Sequence, residues 1–127
     1  MSFEFQNNTK SNLPGRELFF VKIKEEILKK DYELSFVLVG DKKSKELNLK
    51  YRNGNYIPNV LSFPIDKNAG EIFINPNQAK KECAKFEMTY KKFLVYLFIH
   101  GCLHLKGIDH GKKMDSLEEK YLKEFVK

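Results

Sequence analysis

All three histidines of this 127-residue chain lie within eleven residues, and their spacing constrains the fold more than any other feature. His100 and His104 follow an apolar run over residues 93–99, and His110 comes after Gly107. Residues four apart share one face of a helix, so His100 and His104 point the same way. Gly107 permits the left-handed turn that brings His110 back to them. The spacing predicts a buried helix that ends in three convergent imidazoles.

Three neutral imidazoles at about 2.0–2.1 Å form a good shell for Zn²⁺. We therefore predict one zinc ion per chain on His100, His104 and His110. Three protein ligands leave a position open for water, which is typical of catalytic rather than structural zinc. The alternative is two core histidines and one loop histidine. Cys102 lies two residues from each helical histidine, so it faces away and is predicted to be a core residue.

The same segment can be written H-x-x-x-H-x-x-G-x-x-H, which is the ligand spacing of the metzincin proteases. Those enzymes carry a glutamate general base directly after the first histidine. Here that position is Gly101, which can neither accept nor donate a proton. The pattern predicts a metzincin-like metal-binding helix and turn, and it argues against a metallopeptidase-like hydrolase.

The periodicity of apolar residues predicts an α+β fold with a small sheet packed by helices around a buried central helix. Strands are expected at residues 3–6, 32–39, 60–63 and 70–74, with a loop at 64–69. Helices are expected at residues 17–30, 42–52, 76–86, 88–106 and 115–126. Residues 88–106 form the central helix, because residues 93–99 are apolar on every side. We expect a single domain over residues 1–127.

The amino-acid composition limits the kinds of binding partner and the cellular compartment that we expect for this protein. The chain has 23 basic and 17 acidic residues, a net charge of +6, which is compatible with a polyanionic partner or with a solvated lysine surface. Two cysteines do not make a disulfide framework. The chain shows no secretory signal pattern and no apolar stretch of roughly 18–20 residues. We therefore expect a cytoplasmic protein that does not enter a membrane.

The histidine segment, HGCLHLKGIDH, resembles the signature of the YbeY family of bacterial rRNA maturation factors. Three further segments match that family in the same order: LNLKYR at residues 47–52, NVLSFP at 59–64 and GEIFI at 70–74. Met114 and Glu118 fit the segment after the histidines. The resemblance covers roughly residues 32–122.

The resemblance implies a four-stranded sheet and a single-strand-specific, metal-dependent endoribonuclease. It also implies a role in maturation of the 3′ end of 16S rRNA and in ribosome quality control. The implied partners are single-stranded RNA, the small ribosomal subunit and the GTPase Era. The alternative is a non-catalytic ribosome-assembly factor in which the metal only stabilises the fold.

Arg52 is the candidate catalytic residue. It is one of only two arginines, and its guanidinium can hold two phosphate oxygens at once. It also matches the arginine of the family's motif by position. The alternative is a structural or surface ion pair. Asp109 is expected to orient an imidazole by accepting its N–H, with a general base or a turn residue as alternatives.

Several other side chains are candidates for contacts with RNA. Three lysines near the histidines can guide a phosphate backbone or can simply be solvated: Lys106, Lys112 and Lys113. Three aromatic residues can stack on unpaired bases: Tyr51, Tyr56 and Phe63. For Tyr51 and Phe63, a place in the core is the favoured alternative.

Overall fold

The structure is a computed structural model and describes residues 2–126. Its four strands are β1 (Phe3–Asn7), β2 (Glu33–Leu38), β3 (Val60–Asp66) and β4 (Ala69–Ile74). Its five α-helices are α1 (Glu17–Leu28), α2 (Asp41–Arg52), α3 (Pro76–Glu82), α4 (Tyr90–Leu105) and α5 (Lys112–Phe125). Within residues 2–126, none of the helices has the length and apolar character needed to cross a bilayer.

The strands form one mixed sheet in the order β1-β2-β4-β3. The β1–β2 and β2–β4 pairs are parallel, and β3 is antiparallel to β4. A parallel pair needs a crossover, which α1 supplies between β1 and β2. The register places Phe36 of β2 opposite Ile72 of β4, and both side chains are fully buried. The predicted α+β fold and the four-stranded sheet are confirmed.

Helix α4 is the centre of the core. Its Phe98 ring lies 4.7 Å from the ring of Phe36 on β2 and 5.2 Å from that of Phe20 on α1, measured between centroids. Helix α4 also contacts α3, α5, β3 and β4. Because neighbours surround the helix, apolar side chains on all of its faces are buried, as predicted.

The predicted loop at residues 64–69 is wrong. Strand β3 continues through Pro64 to Asp66, and β4 starts at Ala69, so only two residues form the turn. Asp66 Oδ1 accepts a hydrogen bond from the Asn68 backbone N–H at 2.8 Å and stabilises that turn. Pro64 fits within β3 because this is an edge strand, where a missing N–H is tolerated.

Three helix boundaries also differ from the prediction. Helix α1 ends at Leu28, because Lys29 adopts a positive φ of 84°. The helix expected over residues 76–86 ends at Glu82 and continues as a short 3₁₀ helix over Cys83–Phe86. Helix α5 starts at Lys112, three residues before the expected start.

We predict that Phe98→Ala lowers the free energy of unfolding by about 3–5 kcal/mol, because it leaves a cavity between α4 and the sheet. Chemical denaturation followed by circular dichroism measures the loss. The control is Leu49→Ala on the exposed face of α2, which should change stability by no more than about 0.5 kcal/mol. Equal losses in the two variants would contradict the central position of α4.

Candidate metal centre

The last turns of α4 carry His100 and His104 on one face. Their Nε2 atoms lie 3.1 Å apart, and their ring centroids are 4.5 Å apart. Helix α4 is fixed on its other faces by the core, so this face is the one that turns towards solvent. Both histidines are half-buried.

A Schellman motif ends α4 and reverses the chain. Gly107 has a φ of +101°, its N–H donates to His104 O at 2.9 Å, and the Ile108 N–H donates to Leu103 O at 3.0 Å. The reversal places the His110 ring 4.8 Å from the His104 ring, between centroids. Gly107 therefore has the role that the sequence predicted for it.

The three histidines form a group that can hold one metal ion. One ligand nitrogen from each of His100, His104 and His110 lies within 4.8 Å of the other two. Two ligands of a tetrahedral zinc ion lie about 3.3 Å apart when each bond is 2.0–2.1 Å. The 3.1 Å between Nε2 of His100 and Nε2 of His104 is close to that spacing. The donor set therefore fits an imidazole-binding transition metal.

A buried carboxylate supports the first of these histidines. Glu118 on α5 is only 5% exposed, and its Oε2 accepts a hydrogen bond from Nδ1 of His100. Its Oε1 accepts a second hydrogen bond from the Tyr96 hydroxyl at 3.3 Å. With Nδ1 acting as donor, Nε2 of His100 keeps its lone pair for a metal.

The orienting carboxylate at His100 is thus Glu118 and not Asp109. Asp109 is exposed in the turn after α4. A signal in the sequence could have identified Glu118, because it shares one face of α5 with Met114 and Tyr121, which are both buried. A carboxylate at a core position needs a partner, and the nearby histidine supplies one.

Burial sets the protonation of two residues around the site. Burial lowers the pKa of His104, and the neighbouring His100, His110 and Arg52 lower it further, so its imidazole is neutral at pH 7. Burial, followed by the Glu118 carboxylate, raises the pKa of Tyr96 to about 12. Tyr96 therefore remains a hydrogen-bond donor to Glu118 across the physiological range.

The histidines open onto a cleft of about 410 Å³ between α4 and the α2–β3 segment. Arg52, at the end of α2, lines the same cleft. Its Nη2 donates to Ser62 O on β3 at 2.6 Å, and its guanidinium lies 5.4 Å from the centre of the Phe63 ring. The fold thus brings the predicted catalytic candidate to the three histidines, although 48 residues separate Arg52 from His100.

The other predicted candidates are distributed around this cleft. Tyr56 is exposed and lines it. Tyr51 is 58% exposed, so the core alternative is wrong for this residue, and its ring lies 5.4 Å from that of Phe63 in a neighbouring groove. The three lysines considered as phosphate contacts are exposed: Lys106, Lys112 and Lys113. Cys102 is fully buried, and burial raises the pKa of its thiol.

Comparison with known proteins identifies the family. The model of the family described as Endoribonuclease YbeY matches residues 3–126. This chain belongs to that family. A family member from Mycoplasma mycoides is 38% identical over 72% of this chain. A member from Phytoplasma australiense is 30% identical over 97% of this chain and 94% of its own length. Both carry the name endoribonuclease YbeY.

A solved structure and the lengths of two relatives can also be compared with this chain. The solution structure of a Thermotoga maritima protein superposes with a TM-score of 0.65 at 30% identity, covering 97% of this chain and 88% of that protein. The match spans 61% of the Mycoplasma mycoides relative and 64% of a relative from Thermodesulfovibrio yellowstonii. This chain therefore spans less than two thirds of the length of these two curated relatives.

We predict that Glu118→Gln raises the dissociation constant for Zn²⁺ about 10–100-fold, because the His100 imidazole loses its charged acceptor. Competition with a chromophoric chelator measures the constant. The control is Glu119→Gln, whose side chain is exposed and paired with Lys123 at 2.9 Å. Equal constants for wild type and Glu118→Gln would show that this hydrogen bond does not support the metal site.

We also predict that the stabilisation by metal decreases as pH falls. The imidazoles bind metal in their neutral form, so protons compete with the ion below the ordinary histidine pKa of about 6.5. The lowered pKa of His104 keeps that ligand neutral to more acidic pH. The melting temperature of metal-free protein should therefore rise on Zn²⁺ addition at pH 7.5 and rise less at pH 5.5. His104→Ala should remove most of the rise, and a rise that is the same at both pH values would contradict the site.

Proposed function

We propose that this chain is a single-strand-specific, metal-dependent endoribonuclease that holds one Zn²⁺ ion on His100, His104 and His110. The observation that carries the proposal is the cleft in which three convergent imidazoles face an arginine that a different helix contributes. The name of the family, and the names of the relatives, support RNA as the substrate.

Zinc is the metal that this donor set favours. Imidazole nitrogens suit zinc, copper, iron and nickel, whereas the carboxylate-rich sites that bind magnesium and calcium have a different composition. The bound cation would supply Lewis acidity, polarising a phosphoryl oxygen and lowering the pKa of water. His100, His104 and His110 would hold it, and Glu118 would keep the His100 ring in place.

Arg52 would bind the phosphate that is cleaved. The Ser62 carbonyl accepts from one guanidinium nitrogen and the Phe63 ring lies against the group, so the guanidinium is held in a fixed orientation. Its remaining N–H groups can donate to two phosphoryl oxygens as negative charge grows on them. A fixed donor needs little reorganisation during the reaction, and this is why we assign Arg52 a catalytic role.

The biological substrate that we propose is the 3′ end of 16S rRNA, with a further role in ribosome quality control. The partners would then be the small ribosomal subunit and the GTPase Era, and the compartment would be the cytoplasm. The net charge of +6 supports a polyanionic partner. Exposed lysines next to the site support contacts with a phosphate backbone: Lys106, Lys112 and Lys113.

The test is cleavage of single-stranded RNA by Zn²⁺-loaded protein from preparations free of other nucleases. We predict that His104→Ala abolishes cleavage and binding of the metal. Arg52→Lys should lower the rate of RNA cleavage about 10²–10³-fold, because lysine keeps the positive charge but cannot form the bidentate hydrogen bonds of a guanidinium. Its metal content should remain near that of wild type, since Arg52 is not a ligand.

Two results would contradict the proposal in different ways. Cleavage by Arg52→Lys at the wild-type rate would remove the catalytic role of Arg52. Pure wild-type protein that binds metal and the small subunit without cleaving RNA would favour an assembly factor with a structural metal. In that case, variants of Arg52 should affect only binding of the subunit.

A further inference from the structure

A small pocket opens off the metal cleft on the side of His100. It has a volume of about 150 Å³, and it shares three lining residues with the cleft: Asn59, Val60 and His100. Its remaining wall consists of Leu97 and three aromatic residues, which include Phe86 and Tyr96. Neither residue belongs to the set that holds the metal, and the roles proposed for Arg52 and Glu118 leave the pocket itself without a function.

A series of neighbouring aromatic rings connects Phe86, in the wall of this pocket, with His100 of the metal centre. The rings of Phe86 and Phe93 stack with centroids 4.9 Å apart and planes inclined by 27°. Phe93 and Tyr96 follow at 6.0 Å and 17°, and Tyr96 is 6.3 Å from His100. Phe86 is 49% exposed although it packs on the fully buried Phe93. One face of the Phe86 ring is therefore fixed by the core, while much of its surface remains open to a ligand.

We propose that this pocket binds one unpaired nucleobase of the RNA strand, next to the nucleotide whose phosphate lies in the cleft. This inference rests on the proposed function, because the cleft would hold the backbone of the same strand. Stacking on an aromatic side chain accepts any base, since every base has a π-face. It strengthens binding by about 5- to 140-fold per base.

The volume of the pocket is suitable for one nucleobase. A protein cavity of about 150 Å³ is known to hold one benzene ring, and this pocket is open on one side, so a larger ring can extend outwards. A base within a duplex is stacked between its neighbours and cannot enter. The pocket would thus select single strands, a property for which His100, His104, His110 and Arg52 provide no physical reason.

Asn59 gives the pocket a polar edge. Its Nδ2 donates to Glu82 Oε1 at 2.7 Å, which fixes the orientation of the amide. The amide oxygen is then the atom that can accept an N–H from a base. Tyr96 is a poorer candidate for this contact, because its hydroxyl already donates to Glu118.

The chain contains no tryptophan, so Phe86→Trp creates a single fluorescent reporter at the pocket. The probe is a pentanucleotide of 2′-O-methyl RNA, added to Zn²⁺-loaded protein. We expect the single strand to quench the fluorescence saturably, and the blunt duplex of the same sequence to leave it unchanged. The control is Leu18→Trp on α1, where the native side chain is 60% exposed against 49% for Phe86, and it should show no quenching. A fluorescein-labelled pentanucleotide should bind Phe86→Ala about 5- to 140-fold more weakly than wild type and should bind Phe86→Tyr normally.

These measurements separate the base pocket from catalysis. If Phe86→Trp is quenched and wild type cleaves no RNA, the pocket is supported and the endoribonuclease proposal fails. If wild type cleaves RNA while the pentanucleotide binds Phe86→Trp without quenching, the pocket proposal is overturned and catalysis stands. Three other results would also overturn the pocket proposal. They are equal quenching of Leu18→Trp and Phe86→Trp, equal affinity of Phe86→Ala and wild type for the pentanucleotide, and no binding of the pentanucleotide.

Discussion

The burial of helix α4 between the sheet and the other helices is the interaction on which the rest of the structure depends. Phe98 packs on Phe36 and Phe20, so the helix cannot rotate without exposing core side chains. Close packing of this kind tolerates few alternative arrangements. His100 and His104 therefore keep a fixed direction, even though they lie at the solvated end of the helix. The hydrophobic core thus fixes the geometry of the candidate metal site.

The cleft is completed by contacts between parts of the chain that are distant in sequence. Glu118 on α5 holds His100, and the Ser62 carbonyl on β3 holds Arg52. Each contact holds one side of a cleft-lining side chain and leaves its other side directed at the cleft. Such support restricts the rotamers of the site before any ligand arrives, which is the physical basis of preorganisation. The same cleft continues into an aromatic pocket that ends at Phe86.

The sequence predicted regular elements well where one periodicity dominated, and it failed where tertiary position overruled a local preference. A loop was expected at residues 64–69, but β3 continues to Asp66, because Pro64 is accommodated at the edge of the sheet. Lys24 has a polar side chain on α1 and is nevertheless fully buried, with Nζ donating to Lys30 O at 2.9 Å. Burial lowers the pKa of this lysine. Its Nζ also donates to the Ser2 hydroxyl at 3.0 Å. No local pattern distinguishes this buried lysine from a solvated one, because that second partner lies 22 residues away.

The sequence by itself determined the arrangement of the three histidines, because a helix repeat and a glycine turn act over only eleven residues. It also determined that α4 would be enclosed over residues 93–99, where apolar residues lie on every side. Only the tertiary structure decided that Glu118 supports His100, that Arg52 faces the histidines and that Phe86 borders the same cleft. The physical reason is the separation of the interacting residues along the sequence. Helix and turn geometry depend on neighbouring residues, whereas these three placements depend on how whole helices and strands pack.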